Sequence, residues 1–286
     1  MNDMVIRGRC FQWGAQTYTM GVINVTPDSF SDGGFFLSSA AAVRQAETLI
    51  EGGADILDIG GESSRPFSRP VSAEEEIKRV LPVIKGTRKV SDHPISIDTT
   101  KAAVAEAAIM EGADIINDIS ALRFDPDMVK VASRFNSKVV LMHMQGTPMD
   151  MQINPHYDDV VAEVISFLRE RILWAVARGI QRENILIDPG IGFGKSGGDN
   201  LTLINRVSKL SELDAPIVIG PSRKAFLGAI TGIKIPGQRD IPTLGAVAAS
   251  AMRGAHIIRV HDVDKAKQIL GVIDAIRRED MQCPTH

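Results

Sequence analysis

The stretch Asp188-Pro-Gly-Ile-Gly-Phe-Gly-Lys-Ser196 follows the apolar run 185–187 and reads as a loop leaving a buried strand. Its ending, Gly194-Lys195-Ser196, suggests a nucleotide P-loop. That motif needs four residues between its first glycine and its Gly-Lys pair, because backbone N–H groups must ring the phosphates. Counting back from Gly194, the required position holds Pro189, so the ring of donors is not expected to form. What remains is an acid at a strand's end and a glycine-rich turn.

Similar strand ends recur along the chain. Strands are expected near 20–25, 56–60, 95–98, 115–118, 139–143, 185–188, 217–220 and 257–261. Most are continuous apolar runs, as parallel strands buried on both faces require. Helical stretches lie between them. Residues 40–51 end at Gly52-Gly53, a C-cap signal. Ser72-Ala-Glu-Glu75 has capping-box spacing, and Asp125-Pro126 reads as an N-cap with a helix-opening proline. Residues 158–178 repeat apolar side chains at helical spacing, from Val160 to Val176. Eight such units predict an α/β protein, a (β/α)8 TIM barrel. Residues 1–17 are expected as a hairpin closing the barrel floor, 18–280 as one barrel domain and 281–286 as a disordered tail. Residues 232–242 read as an extended loop. A doubly wound open sheet is the rival, since the same alternation feeds both folds.

Composition narrows the function. The 286 residues are 44% hydrophobic with a formal charge of −3, which argues against nonspecific nucleic-acid binding as the main task. No apolar run reaches membrane-spanning length, and no signal peptide is legible. Cys10 and Cys283 make no disulfide framework, so a cytoplasmic location is expected.

In a barrel the carboxyl ends of all strands face one mouth. Here they carry Asn24, Glu62-Ser-Ser-Arg65, Asp98, Asn117-Asp118, His143, Asp188, Ser222-Arg-Lys224, Arg259 and His261. These residues carry a resemblance to the dihydropteroate synthases of folate biosynthesis. The matching stretches are Gly21-Val-Ile-Asn-Val-Thr-Pro-Asp-Ser-Phe-Ser-Asp-Gly-Gly34, Gly60-Gly-Glu-Ser-Ser-Arg-Pro66, Ile95-Ser-Ile-Asp98, Ile116-Asn-Asp-Ile119, Leu141-Met-His-Met-Gln-Gly146, 188–195, Ser222-Arg-Lys224 and Arg259-Val-His-Asp262, in order. The resemblance implies a homodimeric barrel, and a transferase that is a sulfonamide target. The implied reaction joins 6-hydroxymethyl-7,8-dihydropterin diphosphate to 4-aminobenzoate and releases pyrophosphate.

The residue types suit that chemistry. A carboxylate accepts two bonds from the amino-pyrimidinone edge of a pterin, so Asp188 is a natural anchor. Asn117 offers both a donor and an acceptor, and Asp98 adds a second acid. Met142 or Phe193 can cover the ring. The bland alternative for either acid is a buried carboxylate paired with a neighbouring Arg or Lys. Arg259 and His261 lie two apart on a strand and point the same way, and Arg suits a diphosphate fork. Asn24 is a neutral oxygen ligand for Mg²⁺ whose remaining shell is substrate phosphate and water. Its bland alternative is a turn residue, and that of His261 a satisfied histidine. The resemblance places Lys224 between pterin and aminobenzoate, Ser222 near the aminobenzoate carboxylate, and Ser64 and Arg65 at the diphosphate. Phe30, Ser64 and Pro66 fall on loops 26–37 and 63–70, expected to fold over the site and build the aminobenzoate pocket. Asp98, Lys224, Arg259 and His261 are the candidate catalytic residues.

The expected mechanism is dissociative displacement: the carbon–oxygen bond breaks early and the arylamine then attacks without a strong general base. Ser64 stands where the family commonly has threonine, Thr100 where it has serine, and Phe67-Ser-Arg-Pro70 is bulkier than the family's rim. His143 with Met142, Met144 and Met149 reads as barrel filling before it reads as a soft-metal site. A pterin-dependent methyltransferase shares the acid–amide–acid anchors but has no need of Asn24, Ser222, Lys224, Arg259 and His261. A silent pterin-binding paralogue and a Schiff-base aldolase using Lys224 are the remaining readings.

Overall fold

The computed structural model describes residues 1–26, 34–64, 68 and 70–280, with the backbone alone for 34–38. The expected tail and the loop tips 27–33, 65–67 and 69 lie outside the described residues. The chain opens with an antiparallel pair, β1 (Met4–Ile6) and β2 (Arg9–Phe11). Eight parallel strands follow: β3 (Tyr18–Asn24), β4 (Ile56–Gly60), β5 (Ile95–Asp98), β6 (Ile115–Asp118), β7 (Lys138–Met142), β8 (Ile185–Asp188), β9 (Val218–Ile219) and β10 (Ile257–Val260). Their order is β8-β7-β6-β5-β4-β3-β10-β9, and a parallel bridge between Ile187 and Ile217 joins the two ends. The sheet is therefore a closed barrel, and the doubly wound rival, which would leave two open edges, is excluded.

Helices alternate with the strands: α1 (Gly34–Glu51), α2 (Ala73–Val90), α3 (Ala102–Met110), α4 (Met128–Arg134), α5 (Val160–Val176), α6 (Gly197–Asn205), α7 (Ala225–Thr231), α8 (Asp240–Met252) and α9 (Val263–Arg278). Several starts differ from the sequence reading. Helix α1 begins at Gly34, earlier than residue 40, so 34–37 are helix rather than loop. Asp125 does not cap α4, whose N-cap is Asp127; its carboxylate instead accepts from Ala102 N at 2.8 Å, capping the first turn of α3. The expected loop 232–242 contains a short turn at Pro236–Gln238, and α8 begins at Asp240, with Pro242 tolerated in its first turn. The Ser72 half of the expected capping box forms, with Ser72 Oγ accepting from Glu75 N at 3.2 Å while the Glu75 carboxylate accepts from Arg79. Asp159, which the sequence reading did not single out as a cap, accepts from Val161 N and Ala162 N.

Side chains alternate in and out along each strand. The outward set, including Leu57, Ile59, Ile97, Ile116, Val139 and Ile258, packs against the helices in the main core. The inward set changes character along the strand. Near the amino ends it is apolar: Met20, Ile56, Ile115, Leu186, Val218 and Ile257 pack with Met4, Ile6 and Phe11 of the hairpin. Two residues further along, the same inward rows carry Asp58, Asn117, Asp188 and Arg259, with Asp98 in the row of Ser96. The two-residue strand period thus delivers polar groups to one end only.

Candidate active site

The structure brings Asp98, Asn117, Met142, Asp188, Phe193, Lys224 and Arg259 around one small cavity of about 20 Å³, with Ser64 at its edge. Arg259 crosses it. Its Nε donates to Asp58 at 2.6 Å and its Nη2 to Asp98 at 2.7 Å. Asn117 Nδ2 leans on the same Asp58 carboxylate at 3.3 Å. Asp98 is thus paired with an arginine, the bland arrangement weighed above, and both residues line the cavity. Two acids share one guanidinium. Burial pushes Asp98 up to about 7, with Arg259 opposing and Asp58 adding to the rise. Burial alone would lower Arg259, but the charges of Asp58 and Asp98 hold it above its ordinary value.

Asp188 is held differently. Its Oδ1 accepts from Gly190 N at 2.6 Å, and burial raises its pKa to about 6 against the pull of that N–H, Lys224, Arg259 and Lys195. The glycine-rich turn is fixed group by group. Gly192 N donates to Asn200, Gln152 donates to Gly192 O, and Tyr157 donates to Gly194 O. The N–H groups of Gly190, Gly192 and Phe193 are spent on the protein, which agrees with the failed P-loop. Gly190 has φ +72°, and a Cβ there would stand 1.9 Å from His143 O. Gly192 has φ +82°, and a Cβ there would meet Lys224 Cδ at 2.8 Å. The turn therefore presents Phe193 to Lys224, whose Nζ lies 3.9 Å from the ring centroid. Burial and Arg259 lower Lys224 to about 8, although Asp188 and Asp98 oppose them.

Around the rim, Asn24 ends β3 opposite Gly60. Ser222 Oγ and His261 Nδ1 are 2.8 Å apart, so the two bond each other. Loop 62–71 is tied at its base: Glu62 accepts from Val71 N at 2.8 Å and from Lys101 Nζ at 2.8 Å, while Lys101 also reaches Glu76 at 2.6 Å. A second cavity of about 240 Å³ lies under this loop; it shares Ser64, Asp98 and Ile119 with the first and extends to Lys101, Phe124 and Met149. Phe30, Arg65 and Pro66 lie outside the described residues.

Sequence reasoning did not single out Asp58. It sits in mid-strand between Leu57 and Ile59, fully buried, and looks like an interruption of an apolar run. Its signal was the period of two: it lies two residues before Gly60, on the inward row. Asp118, at the end of β6, accepts from Ser120 N, Ser120 Oγ and Leu122 N, and shapes the turn beyond the strand. For a metal, the described residues hold no group of three or more His, Cys, Asp or Glu side chains able to hold an ion. A single amide such as Asn24 fits Mg²⁺ that arrives on phosphate oxygens rather than a resident site. No helix of the described residues is long and apolar enough to cross a membrane.

A barrel whose inward rows end in buried acids, an amide and two cations is the architecture of a small-molecule enzyme with a polar heterocyclic ligand. The family model for pterin binding enzymes matches residues 20–261, and the chain belongs to that family. The chain is 44% identical to the dihydropteroate synthase of Synechocystis sp. over 268 residues, covering 94% of this chain and 93% of that one. Among solved structures it is similar to the Xanthomonas albilineans dihydropteroate synthase. The complex with 4-aminobenzoic acid has 45% identity, TM-score 0.90 and coverage of 96% and 98% of the two chains. The complex with 7,8-dihydropteroate has 43%, 0.87, and 96% and 99%. The Yersinia pestis dihydropteroate synthase, solved with a sulfonamide drug, is 39% identical with TM-score 0.91, covering 97% of this chain and 100% of that one.

Proposed function

We propose that this chain is a transferase with dihydropteroate synthase activity, joining 6-hydroxymethyl-7,8-dihydropterin diphosphate to 4-aminobenzoate to give 7,8-dihydropteroate and pyrophosphate in folate biosynthesis. The observation that carries it is the shared cavity of Asp98, Asn117 and Asp188 with Phe193 and Lys224. Two acids and an amide match the donor–acceptor edge of a pterin, and an aromatic ring with a cation matches its face.

The small cavity must open for a bicyclic ring. In this reading Arg259 swings off Asp98, freeing that acid for the pterin and its own guanidinium for the diphosphate. Asp188 accepts two N–H bonds and Asn117 completes the edge. The carbon–oxygen bond breaks with its electron pair going to the diphosphate, where Arg259, His261, Ser64 and Arg65 meet the developing charge. Asn24 would hold Mg²⁺, which when bound neutralises further charge on the phosphate oxygens. The amine nitrogen then bonds to the carbon and gives up its proton to the released pyrophosphate or to water. Lys224 borders both rings, Ser222 faces the aminobenzoate carboxylate once its bond to His261 is exchanged, and Phe30 and Pro66 close the pocket. Sulfonamides compete at that pocket. The protein works in the cytoplasm as a homodimer; exposed Ile230, Ile235 and Ile241, at and between α7 and α8, support a partner face.

The test is pyrophosphate release by purified protein with the pterin diphosphate and Mg²⁺, with and without 4-aminobenzoate. Amine-dependent release with dihydropteroate as product supports the reading. Tight pterin binding without release would sink it in favour of a methyltransferase or a silent paralogue.

A further inference from the structure

Lys195 is a buried cation that no step above uses. It is 3% exposed. Its Nζ donates to Phe193 O at 2.9 Å, lies 3.0 Å from His143 Nδ1 and reaches toward His143 O at 3.4 Å. None of the three partners is a carboxylate. An ammonium buried among neutral acceptors is costly, so its placement needs a reason. The reason lies in what stands in front of it. A Cβ on Gly190 would be 3.4 Å from this Nζ, and the N–H of the same Gly190 holds Asp188. The carbonyl that Nζ grips belongs to Phe193, whose ring faces Lys224.

We propose that Lys195, seated on His143, is a positioning residue for the pterin slot: it fixes the 190–194 turn and, from behind, holds Asp188 in its carboxylate form. The proposal rests on the pterin reading above and adds to it a residue that does not touch the ligand. The groups facing Lys195 are Asp188 from β8, Lys224 at the start of α7, Asp199 from α6, and His143 beyond β7, with Arg123 and Tyr157 around that histidine. Burial, then Lys195 and Arg123, push His143 down to about 2, so its ring stays neutral and Nδ1 can accept. Burial lowers Lys195 to about 7, with Asp188 opposing. It therefore keeps most of its charge at and below the pH at which Asp188 titrates.

The experiment uses the full chain with Lys195→Met, titrated with 6-hydroxymethylpterin from pH 5 to 8. The acid limb of binding should move up by roughly one pH unit, because Asp188 loses an opposing charge behind it. With Asp188 moved up one unit from about 6, affinity at pH 6 should fall about fivefold, more than at pH 8. Lys195→Gln, which keeps a donor without the charge, should show the same displacement and guards against a Met variant that fails to fold. An unmoved limb in the folded variants, or an equal loss at every pH, overturns the proposal. Failure of the unmodified protein to bind the pterin overturns the function reading instead.

Discussion

The floor and the mouth of this barrel come from the same eight strands, yet they are held by different forces. At the floor the inward rows are apolar and the hairpin covers them with Met4, Ile6 and Phe11. Burial alone stabilises that end. At the mouth the same rows carry Asp58, Asp98, Asn117, Asp188 and Arg259, where two acids share one guanidinium. Desolvation there opposes folding and raises the acids' pKa values. The difference implies a division of labour: the floor and outer core supply the stability, and the mouth uses part of it to hold polar groups ready for a ligand.

The largest expected effect tests the floor. Phe11 is 2% exposed and packs against Tyr18, with ring centroids 4.7 Å apart. Phe11→Ala should cost about 3–5 kcal/mol in denaturant unfolding. Turnover per folded molecule should stay unchanged well below the transition. A comparable loss of turnover in protein shown to be folded would break the separation between the two ends.

The next effect tests the mouth. Asp188→Asn keeps an oxygen to accept from Gly190 N but loses the charge and turns an amide toward the pterin donors. Pterin affinity should fall on the order of 10²–10³-fold, the loss of two charge-assisted bonds. Thermal stability should hold or rise, since a desolvated charge is removed. Affinity within threefold of the unmodified protein would remove Asp188 from the ligand.

The same contrast explains what the sequence made legible. Continuous apolar strands alternating with amphipathic helices narrow the fold to a barrel or an open doubly wound sheet, and in either the strand ends gather on one side. Asp98, Asn117, Asp188 and Arg259 were therefore legible as strand ends, and the family resemblance added Met142 and the ligand they share. Asp58 escaped because it lies inside a strand, where flanking Leu57 and Ile59 hide the inward row. The Arg259 pairing was hidden for a different reason. Residues 58, 98 and 259 are distant in sequence, and the strand order β5-β4-β3-β10 is what brings their inward rows together. The helix start at 128 depended on a long-range contact: Asp125 is engaged by the N–H of Ala102, which it caps instead.

A pH titration sharpens the account of the mouth. Burial raises Asp98 from 3.8 to about 7, so the folded chain keeps a proton that the unfolded chain has lost. Its contribution is fully present below the unfolded value and is lost as pH rises from about 4 to about 7. The buried histidines act oppositely: His143 and His256 are depressed, so their stabilisation is lost as pH falls below 6.5. Asp98→Asn leaves the histidines in place, and the difference between the two proteins isolates the acid. The stability advantage of the variant should grow across that window. Parallel unfolding curves at pH 4.5, 5.5 and 7 would show that Arg259 keeps Asp98 ionised in the folded protein.

The smallest expected effect concerns the rim. Ser64 borders both the 20 Å³ and the 240 Å³ cavities. Ser64→Thr keeps the hydroxyl and adds one methyl next to open volume. Burying or displacing a single methyl group changes free energy by about 0.8 kcal/mol, which bounds the change in turnover at about fourfold in either direction. Ser64→Ala removes the hydroxyl and should cost more, by about 1 kcal/mol or above if the group bonds a ligand oxygen. The comparison is made on kcat/KM for 4-aminobenzoate with the pterin saturating. If threonine were worse than alanine, steric closure of loop 62–71 over Ser64 would outweigh its hydrogen bond. The rim would then behave like the floor, governed by packing, and the mouth's polar character would end at the inward rows of the strands.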